Sequence, residues 1–283
     1  MNKKPAYLIV NADDYGYFTC ISRGILDGGK NGLITATGVI ANSSHFNEHI
    51  QWLKTASCLD AGVHLNLSHG EPLTGRFGRK LRAGKGKFPV KYSLLLGLMA
   101  RTLTSDDVLE EWHAQIRRCI DAGLKIYFLN THEHLHAFPT LFKIVLRLKK
   151  EYNIPFFRFP EPEWDVRGGF GGIVRNTLLH CIVVKRAGLP EGATRLLGMS
   201  CSGKLSMGYL RKRLASLENG KIYELMCHPG SFDADEIRDR RLTSYHDWQG
   251  ELDLLKSREV RDLCDSMGIR ITGYSGLAGE VRT

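Results

Sequence analysis

Short apolar runs alternate along this chain with longer stretches in which apolar residues return every three or four positions. Residues 7–12 form the first run and predict a buried strand, and residues 21–31 carry helical spacing up to a Gly-Leu turn. A second strand is expected at 36–41, stopped by Asn42-Ser43-Ser44, which can cap a helix running through His49 and Leu53. A third is expected at 61–67, where alternation puts Val63, Leu65 and Leu67 on one face and His64 and Asn66 on the other. Further strands are predicted at 125–130, 155–159, 198–201, 221–227 and 270–272. Helices are predicted from a Ser105-Asp106-Asp107 cap to Gly123, over 138–152 and over 242–267. Two stretches break the rhythm. Residues 68–106 are irregular, basic and glycine-spaced, with a short apolar helix expected within 90–103; residues 161–197 are glycine-rich, with a helix-like middle at 173–186. Strands separated by helices argue for a parallel sheet, and about eight of them for a closed α/β barrel of TIM-like (β/α) type. The expected organisation is one barrel domain over residues 1–283, with insertions at about 76–106 and 161–200.

In such a barrel the chemistry sits at the carboxyl ends of the strands, and the unusual polar residues fall there. Asp13 and Asp14 follow the first strand, His64 lies near the end of the third, and His132 follows the fourth in Thr131-His132-Glu133-His134-Leu135-His136. Arg158 ends the fifth inside Phe-Phe-Arg-Phe, and His228 follows the seventh in Cys-His-Pro-Gly. One carboxylate and two imidazoles from three strand ends, Asp14, His64 and His132, form a candidate metal triad that leaves positions open for water and substrate. Adjacent carboxylates repel unless a cation takes one of them. Asp13 then stays ionised as a general base. A capping role for Asp13, and a core position for His64, are the simpler alternatives. His228 suits a general acid for a departing amine, or a turn histidine donating to a carbonyl. His134 and His136 are candidates for substrate contact or for fixing a ligand's tautomer. Arg158 needs an anion, and either Asp13 or a substrate phosphate fits.

Composition adds two points. The net charge of +9, from 39 Lys and Arg against 30 Asp and Glu, favours an anionic partner. The basic stretch 76–91 is poor in aromatics and carries no nucleic-acid fold signature, so nucleic acid is not expected. With the apolar residues after it, that stretch fits contact with an anionic membrane surface, or simple packing against the barrel. The seven cysteines include no C-x-x-C pair and read as buried thiols of a reducing, cytoplasmic compartment. No apolar run approaches the length of a membrane span. A homo-oligomer is compatible with the sequence.

Four motifs occur in order: Asn-Ala-Asp13-Asp14-Tyr-Gly, Gly-Val-His64-Leu-Asn-Leu, Thr-His132-Glu-His134-Leu-His136 and Glu-Leu-Met-Cys-His228-Pro-Gly-Ser. Together they resemble the YdjC-like, or ChbG-type, carbohydrate deacetylases over nearly the whole chain. The resemblance implies a distorted (β/α) barrel related to the polysaccharide deacetylases, a divalent metal, and hydrolysis of an N-acetyl group on an amino sugar; it leans to magnesium where two histidine ligands lean to zinc, so magnesium or zinc is expected. It places the metal on Asp14, His64 and His132, the base on Asp13 and the acid on His228. It further implies oligosaccharide substrates or lipid-linked N-acetylhexosamines of envelope biosynthesis, a polyprenyl-phosphate carrier and lipid A modification among them. The chain departs from the family pattern at Asn130-Thr131, where Asp-Ser is common. Thr131 keeps the hydroxyl and Asn130 removes a charge. Two histidines and a carboxylate are also the ligand set of non-haem iron oxygenases. A sugar-phosphate or lipid-binding protein with a degenerate site, and a phosphoester hydrolase, are further readings.

Overall fold

The computed structural model describes residues 4–81, 86–159 and 189–278; the helix expected at 173–186 lies outside them. Among the described residues there are eight strands: β1 (Tyr7–Tyr15), β2 (Ala36–Val39), β3 (Asp60–Leu65), β4 (Ile126–Thr131), β5 (Phe156–Phe159), β6 (Ala193–Leu197), β7 (Ile222–Cys227) and β8 (Arg270–Ile271). All pairings are parallel, and β1 through β7 close on themselves because β1 pairs with both β7 and β2. The expected barrel is therefore formed by seven strands. The eighth, β8, pairs with β1 at Tyr7 and Leu8, before the point where β2 joins at Asn11.

The helices α1 (Thr19–Asn31), α2 (Phe46–Thr55), α5 (Ser105–Asp121) and α6 (Pro139–Glu151) follow strands and turn their apolar faces inward. Between β3 and α5 lie the short α3 (Gly75–Lys80) and α4 (Lys91–Met99). After β6 come α7 (Met207–Leu214), then α8 (Arg240–Tyr245), α9 (Trp248–Lys256) and α10 (Arg258–Ser266).

Strand alternation places the two larger bodies of the core on opposite faces of the sheet. Leu8, Val10 and Ala12 of β1 join Val63, Leu65, Leu129, Phe157 and Leu225 in the layer between sheet and helices. Tyr7 and Ile9 point the other way and meet Phe128, Phe156, Tyr274 and Leu277 as an apolar floor inside the barrel. Gly62 makes room for that floor, since a Cβ there would lie 2.4 Å from the Phe128 ring. Above the floor the same inward register brings Asn11, Asp13, His64, Asn130, Arg158, Thr194 and Glu224, all buried.

Local boundaries differ from expectation in four places. The sixth strand is Ala193–Leu197; the stretch predicted for it begins at Gly198, whose φ of +99° turns the chain into a 3-10 turn at Met199–Cys201. Thr104, rather than Ser105, caps α5: its hydroxyl accepts from Asp107 N, and Asp107 accepts from Thr104 N at 2.7 Å. Asn42 does not cap α2, because its amide donates to the His69 and Glu71 carbonyls instead. The long helix expected at 242–267 is three, restarted by Asp247, which accepts from Gly250 N, and by the extended Ser257. Cys58 is an exposed thiol, in contrast to the buried role expected of the cysteines.

Candidate active site

β1 runs past the point expected and carries both acids. Between Ala12↔Thr37 and Tyr15↔Val39, β1 advances three residues while β2 advances two, which is a β-bulge. Asp14 sits in it with a left-handed φ of +69°, a conformation that side-chain-bearing residues rarely adopt. In a regular strand Asp13 and Asp14 would face opposite sides of the sheet. The bulge lets both face the carboxyl-terminal mouth.

There Asp14 meets two histidines. Asp14 Oδ1 lies 3.0 Å from His132 Nδ1 and 3.3 Å from His64 Nε2, and the two imidazole nitrogens are 3.3 Å apart. Two ligands about 2.1 Å from a divalent metal and roughly 90–110° apart would be about 3.0–3.4 Å from each other, so the triangle has the dimensions of three ligands around one ion. The tautomer agrees. His64 Nδ1 lies 2.8 Å from Asn130 Oδ1, an acceptor, so Nδ1 carries the proton and Nε2 turns its lone pair to the triangle. His64 and Asn130 are register partners on β3 and β4. Burial works against the charge of Asp14, but His132 and His64 outweigh it and hold its carboxyl well below the usual range. Burial likewise opposes a charge on His132, and Asp14 overrides it to raise the imidazole's pKa. The residues fit a divalent cation, which would replace the proton they otherwise share.

Asp13 is held in a second network beneath. Arg158 donates to it through both terminal nitrogens, Nη1 to Oδ2 at 2.6 Å and Nη2 to Oδ1 at 2.8 Å. Asn130 and Asn11 donate to Oδ1 at 2.9 and 3.1 Å. The same guanidinium reaches Glu224, with Nη2 at 2.6 Å and Nε at 2.8 Å from Oε1. Thr194 and Asn11 complete Glu224. Burial pushes the Asp13 pKa up, yet Arg158, with His64 and His228 adding to it, brings it below the ordinary carboxylate value. Asp13 is thus kept ionised, and Oδ2, with a single donor among these bonds, retains a lone pair for a proton.

The remaining expected residues divide. Arg158 takes Asp13 as its anion. Fully buried and engaged by Asp13 and Glu224, it realises the first of the two anions expected of it rather than a substrate phosphate. His136 is also fully buried, its Nδ1 2.5 Å from Thr131 Oγ1, and it belongs to the wall rather than to a substrate surface; burial brings its pKa to about 3. His134 is half-buried, at a φ of +54°, and burial keeps it neutral. His228 stands at the rim with its backbone N–H held by Glu251 at 2.5 Å and its ring 5.0 Å from that of His246.

A family model described as YdjC-like protein matches residues 7–266. The chain belongs to the YdjC-like family. A relative named carbohydrate deacetylase from Clostridium beijerinckii is 33% identical over 274 residues, 95% of this chain and 99% of that protein. A chitooligosaccharide deacetylase from Citrobacter koseri is 29% identical over 278 residues, 94% and 97% of the two chains. The solved structure of a proposed cellobiose-phosphate cleavage protein from Enterococcus faecalis V583 superposes with a TM-score of 0.72 at 22% identity. It covers 97% of this chain and 99% of that one, and supports the fold alone.

In this YdjC-like protein several site residues escaped the sequence reading. Glu224 was legible as a lone acid in the apolar strand Ile222–Cys227, the same signal that marked Arg158. Asn130 was marked only as a departure from the family pattern that removes a charge, and the Asn11 role carried no mark. Tyr17, whose ring lies 4.0 Å from that of His69 and 5.7 Å from that of His132, walls the triad on one side. Burial, with the neighbouring His132, lowers the pKa of His69 to about 4.

Proposed function

We propose that this YdjC-like protein is a metal-dependent N-deacetylase that hydrolyses the acetamide of an N-acetylated amino sugar. The observation that carries the reading is the ligand triangle of Asp14, His64 and His132 above a second carboxylate, Asp13, whose pKa Arg158 holds below the ordinary value. The names of the near-full-length relatives support the same class.

Asp14 Oδ1, His64 Nε2 and His132 Nδ1 would hold one divalent ion, which supplies Lewis acidity and a lowered pKa for water. Asp13 takes the proton of the attacking water on Oδ2. Arg158 and the two asparagines keep Asp13 fixed and charged, so its orientation costs nothing at the moment of reaction. His228, anchored through its backbone to Glu251, delivers a proton to the departing amine. Arg158 and Glu224 act from behind Asp13 and touch no substrate.

The substrate class extends, on the chain's basic charge, to amino sugars carried on a lipid phosphate, met at the cytoplasmic face of a membrane. The free thiols of Cys20, Cys119, Cys227 and Cys264 suit a reducing compartment. We also propose one barrel domain for the whole chain, with segments 76–106 and 161–200 shaping substrate choice.

The test is acetate release from free N-acetylated chitooligosaccharides and from polyprenyl-phosphate-linked N-acetylhexosamines, with magnesium, manganese or zinc and with chelator. Metal-dependent acetate from any member supports the reading, and the preferred member names the aglycone. A metal-loaded protein that releases none overturns it.

A further inference from the structure

The helix α4, Lys-Tyr-Ser-Leu-Leu-Leu-Gly-Leu-Met, has no polar face, yet only Leu94 of its side chains is buried. A helix apolar all round belongs in a core or in lipid. Instead Tyr92, Leu96 and Met99, spaced four and three apart and so on one stripe, are 74%, 64% and 81% exposed, with Val90 just before them at 69%. These are the four most exposed large apolar side chains among the described residues.

The sequence segment that carries the stripe has charge of one sign. Between Pro72 and Ser105 there are eight Lys and Arg and no Asp or Glu. Arg76 and Lys80 are paired with Asp107, and Lys91 with Glu133, whereas Arg79, Lys87 and Arg101 stand on the exposed surface. The Lys91 ammonium also lies 5.6 Å from the Tyr92 ring centre. An apolar stripe that includes a tyrosine, on a segment whose own charges are all cations, matches the order of a bilayer surface, acyl chains below and anionic headgroups above.

α4 also starts at the mouth. Lys91 Nζ is 3.3 Å from Glu133 Oε1, and Glu133 is the neighbour of His132.

We propose that α4 and its flanking cations seat the mouth of the barrel on an anionic lipid bilayer. Tyr92, Leu96 and Met99 enter the acyl boundary while Arg79, Lys87 and Arg101 meet lipid phosphates. A sugar held at the headgroup level then reaches the triad without leaving the membrane. The surface stands on its own observations and goes beyond the deacetylase reading.

The test uses the full-length protein with vesicles of phosphatidylcholine alone or with roughly one third phosphatidylglycerol. The expected result is co-sedimentation with the anionic vesicles only, weakened by high salt, together with hydrogen-exchange protection of α4 that appears on vesicle addition. Leu96→Glu with Met99→Glu should lower the partition coefficient about tenfold or more, while the melting temperature and acetate release from a water-soluble chitooligosaccharide stay unchanged. Three outcomes overturn the proposal: wild-type protein that ignores anionic vesicles, a double variant that binds like wild type, or an α4 already protected without lipid. A dimer dissolved by the double variant, with no vesicle binding, assigns the face to a second copy. Vesicle binding by a protein that releases no acetate keeps this surface and removes the deacetylase reading.

Discussion

Arg158→Met is the most informative single change in the barrel. The side chain is of similar length and fully buried, so the substitution removes a charge and four short contacts while leaving little void. What remains is two buried carboxylates, Asp13 and Glu224, facing the place where their shared cation was. Breaking a buried ion pair from one side costs about 3–5 kcal/mol, because the orphaned charge stays in a medium that solvates it poorly. For a domain of this size that corresponds to a fall in melting temperature of roughly 5–8 °C. The sign of the pH dependence follows from the same picture. In the wild type the folded pKa of Asp13 is depressed, so its contribution is present above the unfolded carboxylate pKa and lost as pH falls. In the variant, burial without a cation raises the folded pKa, so the penalty is full at neutral pH and relieved as pH falls. The gap between the two proteins should therefore narrow toward acid. Urea denaturation at pH 7.5 and pH 5, on metal-loaded protein, measures it. Adding Glu224→Gln to Arg158→Met should return about 1–2 kcal/mol by removing one of the orphaned charges. A single variant that loses under about 1 kcal/mol, or a double variant whose losses simply add, would refute the network as described.

Asp13→Asn should cut acetate release by about a hundredfold or more while leaving metal stoichiometry at one, since Asp13 is a base and not a ligand in this reading; metal analysis beside a steady-state assay checks both halves. Asn130→Leu removes the acceptor that fixes the His64 tautomer, and titration with a divalent metal should show affinity weaker by roughly 10–100-fold. Asp107 anchors the α3–α5 junction: burial raises its pKa, but Lys80 and Thr104 bring it down to about 2. Its stabilisation should be complete above pH 4 and fade as pH falls toward about 2, and Asp107→Asn should cost about 1–2 kcal/mol at neutral pH, discounted for the partly exposed Arg76 and Lys80.

The sequence by itself determined the parallel barrel and which strand ends carry the unusual polar residues. An apolar strand is a local pattern, and a polar residue at its end is visible without knowing its neighbours. That is why Asp13, Asp14, His64, His132 and His228 could be picked out. Arg158 and Glu224 show where the legible part stops. Each is marked in its own strand as an ion needing a partner, but the partner is fixed only when the sheet closes and turns both inward across the barrel. That closure made Arg158 a support for Asp13, where charge alone allowed a substrate phosphate equally. The bulge at Asp14 was hidden for a related reason, since the extra residue exists only relative to the register of β2. Asn130 is a neutral residue on β4 until register places it between His64 and Asp13, where its amide accepts from one and donates to the other. Chemistry that one strand carries alone was readable; chemistry made by two strands meeting required the barrel to close.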